Sequence, residues 1–118
     1  MSKEVNPKSQ VELIAVPADG QLVAPHFARA PLFVLAEVAA GQVGTVTLLP
    51  NPGRPEGGLV GWLADQGATG VLAGDMGQRS RDRCAEIGLW VLTGHEGPIE
   101  QVLQGFADQQ RPDETAEG

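Results

Sequence analysis

The stretch TGVLAGDMGQRSRDRCAEIGLWVLTG, residues 69–94, decides the architecture of this chain. "TGVLAG", 69–74, is a short apolar run, and "LWVLT", 89–93, is another. Continuous apolar runs of this length are the signature of parallel strands covered on both faces. Between them "QRSRDRCAEIG" is charged except along one line, where Ser80, Cys84 and Ile87 fall together at helical spacing. Gly88 stands where a helix stop belongs. Strand, helix and strand in this order predict a right-handed crossover within a parallel sheet.

The unit extends in both directions. Upstream, "GLVGWLADQG" places Leu59, Trp62, Leu63 and Gln66 on one helix face, with Gly67 as its C-terminal stop. "NPGRPEGG", 51–58, is too rich in Pro and Gly for anything but a loop. "VELIAVP", 11–17, reads as a central strand that Pro17 ends. "PLFVLAEV", 31–38, and "GQVGTVTLLP", 41–50, read as two further strands joined by a tight turn at Ala39–Gln42. Downstream, Ile99, Val102, Leu103 and Phe106 form the apolar stripe of a third helix, opened by Pro98. The expected fold class is α/β, with a five-stranded mixed sheet and the order β-β-β-α-β-α-β-α. Residues 1–10 read as a disordered leader, 11–107 as one domain and 108–118 as a flexible acidic tail.

With 118 residues, 42% apolar and 19% charged, the composition is that of one globular domain. One cysteine, Cys84, allows neither an intramolecular disulfide nor a paired-cysteine metal site. The opening MSKEVNPKSQ does not resemble a signal peptide, and nothing approaches a membrane-spanning length. A cytoplasmic location, without membrane, is the expectation. The net charge of −7 argues against nucleic acid as a partner. Within 11–106 there are ten acids and five arginines, and Arg79, Arg81 and Arg83 crowd into one knot.

Ligands of open α/β sheets gather beyond the carboxyl ends of parallel strands. Two segments qualify. "GDMGQRSRDR" turns on Gly74-Asp75-Met76-Gly77 and feeds directly into a helix, whose first N–H groups and positive dipole end attract anions. Arg79 and Arg83 share a face there, and Arg81 points elsewhere. The phosphate-loop and dinucleotide fingerprints are absent, so the pattern specifies a generic anion site. The other segment, "VAPHFARAP", sets His26, Phe27 and Arg29 between two prolines. His26 can act as a metal ligand or as a hydrogen-bond donor to an anion. Phe27 can equally tuck into the core. Met76, in the glycine-rich turn, is the candidate soft ligand. Cys84, in register with Ser80 and Ile87, belongs to the core face.

These residues carry a resemblance. "IAVPADG…VAPHFARAPLFVL" is similar to the start of the dinitrogenase iron–molybdenum cofactor biosynthesis family, which runs strand, turn, His-Phe and a Phe-containing strand. "LADQGATGVLAGDMGQRSRDRCAEIGLWVLTG" resembles its second signature, a Gly-x-x-Gly between strand and helix. His26 and Phe27 match the first motif, and Gly74 and Gly77 match the second. Ala28 stands where glycine is usual and Gln78 where proline is common. The loop 51–58 has none of the histidine many members carry, and His95 matches no motif. The resemblance implies a three-layer ribonuclease H-like domain with its hairpin strands antiparallel to the rest. It implies a non-enzymatic, metal-binding role: an anionic metal–sulfur cluster containing molybdenum, of the Mo–Cu sulfide or Fe–Mo type, held largely without covalent ligation. Stand-alone length resembles the orange-protein branch. Protein partners in cluster delivery or regulation follow from the same likeness. The implied site is His26, Phe27, Arg29, Gly74, Asp75, Met76, Gly77 and Arg79, with His26 nearest the metal.

Two other readings remain open. A ribonuclease H-like nuclease would need several carboxylates around divalent metals, of which Asp19 and Asp75 are the candidates. A protein-interaction module would use Trp62, Trp90 and the acidic tail.

Overall fold

A computed structural model describes residues 11–109. The apolar run after residue 11 forms β1 (Glu12–Asp19), which sits at the middle of the sheet. Chain order continues through β2 (Leu22–Val23), β3 (Leu32–Ala39), β4 (Gln42–Pro50), α1 (Gly58–Asp65), β5 (Gly70–Leu72), α2 (Gln78–Ile87), β6 (Trp90–Leu92) and α3 (Ile99–Gln109). The spatial order is β4-β3-β1-β5-β6, with β2 pairing back onto β1. β1, β5 and β6 are parallel, while β3 runs against both β1 and β4.

The sheet has six strands where five are expected. The extra one is β2, which folds back so that Ala18 faces Val23 and Asp19 faces Leu22. Gly20, with φ 63, takes the first central position of that turn, where a type II′ hairpin requires glycine. Pro17 does not end β1. It lies opposite Phe33, and the parallel ladder to β5 covers only Ile14 and Ala15, so position 17 falls beyond it. Of the hairpin strands, β3 alone is antiparallel to the sheet's parallel set; two antiparallel steps bring β4 back to the direction of β1. The turn between them is the two-residue Ala40–Gly41, with φ 53 and φ 82. Both values are positive, as a type I′ hairpin demands.

The sheet is covered on both faces. Ala15, Phe33, Leu35, Val71 and Ala73 point to one side and pack under Val60 and Leu63 of α1 and Cys84 of α2. Ile14, Val16, Val34, Ala36, Val38 and Leu72 point to the other, under Ile99, Leu103 and Ala107 of α3. The alternation along β1 and β3 serves both layers because a strand turns successive side chains to opposite faces. β5 is buried throughout, as its apolar run implies, but β6 is not: it is an outer strand, and Leu92 is 45% exposed. Gly67 and Gly88 close α1 and α2 in the left-handed region, φ 99 and φ 89. Among the described residues no helix is long and apolar enough to cross a membrane. The expected leader 1–10 and the tail beyond Gln109 lie outside the described residues, whereas Asp108 and Gln109 belong to the last turn of α3.

Candidate functional site

Because β1 and β5 are parallel neighbours, the segments that follow them emerge at the same edge of the sheet. They also bond to one another. Asp75 donates its N–H to the Pro25 carbonyl at 3.0 Å, and Phe27 donates to the Asp75 carbonyl at 3.1 Å. His26 and Asp75 thereby form a short parallel bridge beyond the ends of the strands. The two segments that the sequence singles out lie against one another.

Phe27 fixes the first loop from beneath. Its ring is 2% exposed and meets Phe33 edge-on at 5.3 Å. Phe33 in turn meets Trp62 of α1 at 5.9 Å. Phe27 opens a single 3₁₀ turn, Phe27–Arg29, so burying Phe27 turns the adjacent His26 outward, 60% exposed. Arg29 is exposed at the end of that turn. A phenyl anchor between two solvent-facing polar groups answers why this loop carries more than turn residues.

Met76 departs from expectation. The glycine-rich turn suggested an exposed thioether, yet Met76 is 4% exposed and packs in the same cluster as Phe27 and Cys84. The turn exposes Asp75 and Gly77 on either side of it and directs the methionine inward. Cys84 is fully buried, and burial pushes its thiol above the ordinary range. The thiolate, the form that ligates metals, is thereby disfavoured.

The remaining groups face solvent. Asp75 is 78% exposed, with an oxygen 3.8 Å from His26 Nδ1. At that exposure and distance the pair orients the ring and contributes little to stability. α2 begins at Gly77 with no side-chain cap and no acid in its first turn, so its leading N–H groups are open to an anion. Arg79 lies in that turn. Among the described residues neither Arg79 nor Arg29 forms an ion pair, whereas Arg83 is engaged with Glu86 at 3.2 Å. His26, Arg29, Asp75, Gly77 and Arg79 therefore share the carboxyl edge, and Phe27, Gly74 and Met76 support it.

Gly74 is held by close approach. A Cβ there would sit 3.2 Å from the His95 carbonyl and 3.3 Å from those of Ala24 and Pro25. No side chain fits without displacing one of two backbone segments.

Asn51 was read only as part of a loop, and it proves to be a structural tie. Its amide Nδ2 donates to the carbonyls of Ala30, at 2.8 Å, and Ala28, at 3.3 Å. Its Oδ1 accepts the Gly53 N–H at 2.7 Å. This fastens the loop after β4 to the turn that carries Arg29. The Asn-Pro-Gly sequence was the available signal, since asparagine commonly bonds its own backbone two residues on.

The chain resembles known proteins in sequence and in fold. The sequence model of the dinitrogenase iron-molybdenum cofactor family matches residues 11–109. An uncharacterized protein of Methanocaldococcus jannaschii is 22% identical over 106 residues, 86% of this chain and 90% of that one. The crystal structure of the protein PH0822 superposes with a TM-score of 0.76 at 28% identity, covering 82% of this chain and 90% of that one. The apo form of the orange protein from Desulfovibrio gigas superposes with a TM-score of 0.68 at 28% identity, covering 88% and 93%. The chain belongs to the dinitrogenase iron-molybdenum cofactor family.

Proposed function

From that membership we propose that the chain binds an anionic, molybdenum-containing metal–sulfur cluster as cargo, of the Mo–Cu sulfide or Fe–Mo type, and catalyses no reaction on it. The observation that supports this reading is the backbone pairing of Pro25 and Phe27 with Asp75, which holds the His26 loop against the turn that leads into α2, whose first turn is uncapped and carries Arg79. The donor set suits a sulfide cluster held by charge and hydrogen bonds. It offers an imidazole, two arginines and backbone N–H groups, while the single thiol is buried. The ribonuclease H-like description of the three layers belongs to the same reading, as do a cytoplasmic setting and protein partners that deliver or receive the cluster.

A nuclease would need carboxylates converging on divalent cations. Among the described residues no three His, Cys, Asp or Glu side chains are placed to do so. The deciding experiment mixes purified protein with tetrathiomolybdate and copper. A visible charge-transfer band that co-elutes with the protein supports cluster binding. A colourless protein with magnesium-dependent hydrolysis of nucleic acid overturns it.

A further inference from the structure

We propose that His95 is a second imidazole of this site, approaching the cluster from the side of Gly74 opposite His26; the inference rests on the cluster-binding reading above. Three backbone carbonyls from two loops converge on Gly74. Ala24 and Pro25 present their carbonyls from one loop, and His95 presents its own from another, all within 3.3 Å of where a Cβ would stand. The contact is built from hydrogen bonds as well. Gly94 donates to the Gly74 carbonyl at 2.8 Å, and His95 donates to the Ala73 carbonyl at 3.1 Å. The loop after β6 is therefore fastened to the strand end that leads into the Gly74–Gly77 turn, as the His26 loop is. His95 itself makes a backbone bond to Ala73, and His26 lies between two residues, Pro25 and Phe27, that bond to Asp75.

The position of His95 is fixed from its other side too. Val23 donates to the Gly97 carbonyl at 2.9 Å, and Ile99 donates to the Gln21 carbonyl at 2.9 Å. A loop tied at both ends holds its side chain in place at small entropic cost when a ligand arrives. His95 is partly exposed, and among the described residues its side chain makes no hydrogen bond or ion pair. The ring is therefore available to a ligand without the loss of a protein hydrogen bond. A sulfide of the cluster, accepting from a ring N–H, is a partner of the right chemistry.

The test uses the protein uniformly labelled with ¹⁵N, titrated with tetrathiomolybdate and copper, with the ring signals of both histidines and the backbone amides followed by NMR. His95 ring signals are expected to shift together with those of His26. His95→Ala should raise the apparent dissociation constant about tenfold, as for loss of one hydrogen bond to a charged group, and His95→Gln should recover most of it. Unchanged Ala73 and Gly74 amide signals in both variants would show that the loop keeps its place. If His26 signals move while those of His95 stay, and His95→Ala binds like the parent, the proposal is wrong and the cluster reading stands. If the parent protein gives no colour and neither ring responds, the cluster reading itself fails, and this inference with it. Disturbed Ala73 or Gly74 amides with no recovery by His95→Gln would make His95 a loop-holding residue and overturn its role as a ligand contact.

Discussion

The backbone of Gly70 lies flush against the indole of Trp90, so that a methyl group at position 70 would occupy the space of the ring. The same indole donates its N–H to the Glu12 carboxylate at 3.0 Å and stacks on Phe106 at 5.1 Å, 13° from parallel. Glu12 also accepts the Thr69 hydroxyl at 2.6 Å. One aromatic ring thus joins β1, β5, β6 and α3 at the edge of the sheet opposite the site.

Gly70→Ala should therefore destabilise the fold by about 3 kcal/mol, at the upper end of the usual cost of overpacking. Urea unfolding followed by tryptophan fluorescence measures it. A loss below about 0.5 kcal/mol, the scale of an ordinary surface change, would show that the ring moves aside freely.

Cys84→Ala should fold, lose about 1–2 kcal/mol for the atoms removed from the core, and still take up the cluster. Complete loss of colour with an intact circular dichroism spectrum would make the thiol a ligand.

The raised Cys84 pKa also sets a pH dependence. Burial favours the neutral thiol, so the folded chain keeps its proton when the unfolded chain gives it up. The stabilisation is fully present below the unfolded thiol pKa, about 8.5, and is lost as pH rises through the folded value. Denaturant midpoints between pH 8 and 10 should fall in the parent and fall less in Cys84→Ala. Parallel curves would remove burial of the thiol as the cause.

At the site, His26→Gln keeps a donor and should retain most affinity, while His26→Ala should lose about 1–3 kcal/mol, as for one hydrogen bond to a charged group. Equal abolition by both would assign His26 as a metal ligand. Asp75→Asn acts in the opposite direction. Removing an exposed carboxylate beside the imidazole should strengthen uptake of an anion about threefold at low salt, and the gain should vanish at high salt. Weaker uptake would mean that orientation of His26 by Asp75 outweighs the charge.

Arg79→Gln should weaken uptake at low salt and do so much less at high salt, since it removes a screened charge from the open first turn of α2. Titration of parent and variant at two ionic strengths decides it. A loss independent of salt would mean a direct, desolvated contact instead.

Much of this arrangement is legible in the residues, for identifiable reasons. The apolar alternation of Ile14–Val16 and Phe33–Val38 announces strands that serve two layers. Gly67 and Gly88 announce helix ends. The His26 and Gly74–Gly77 segments fall at one edge because β1 and β5 are parallel neighbours, an adjacency the sequence pattern leaves open. What escapes is local. Leu22–Val23 is too short to show a period, so β2 reads as loop. Met76 is flanked by Gly74, Asp75 and Gly77, and nothing in that composition shows that the turn directs its side chain under Phe27. Asn51 acts through hydrogen bonds to a segment more than twenty positions away, a distance at which residue patterning carries no signal.

The register of β1 bears on how the chain acquires its shape during synthesis. Its pairing with β3 closes within 27 residues of its start, Glu12 lying opposite Val38, and the Ala40–Gly41 turn adds β4 at once. Its other side waits for Gly70 and Val71. A three-stranded meander can thus assemble as soon as residue 50 has left the ribosome, while the flank of β1 that will receive β5 stays open until some twenty more residues follow. Local contacts form before distant ones because short loops cost less entropy to close. In refolding with pulsed hydrogen exchange, amides of residues 33–36 should gain protection before those of 70–72. The reverse order would place the first nucleus in the crossover unit. If the meander comes first, the candidate site forms after it: both halves of the His26–Asp75 bridge are brought together only when the growing chain inserts its fifth strand.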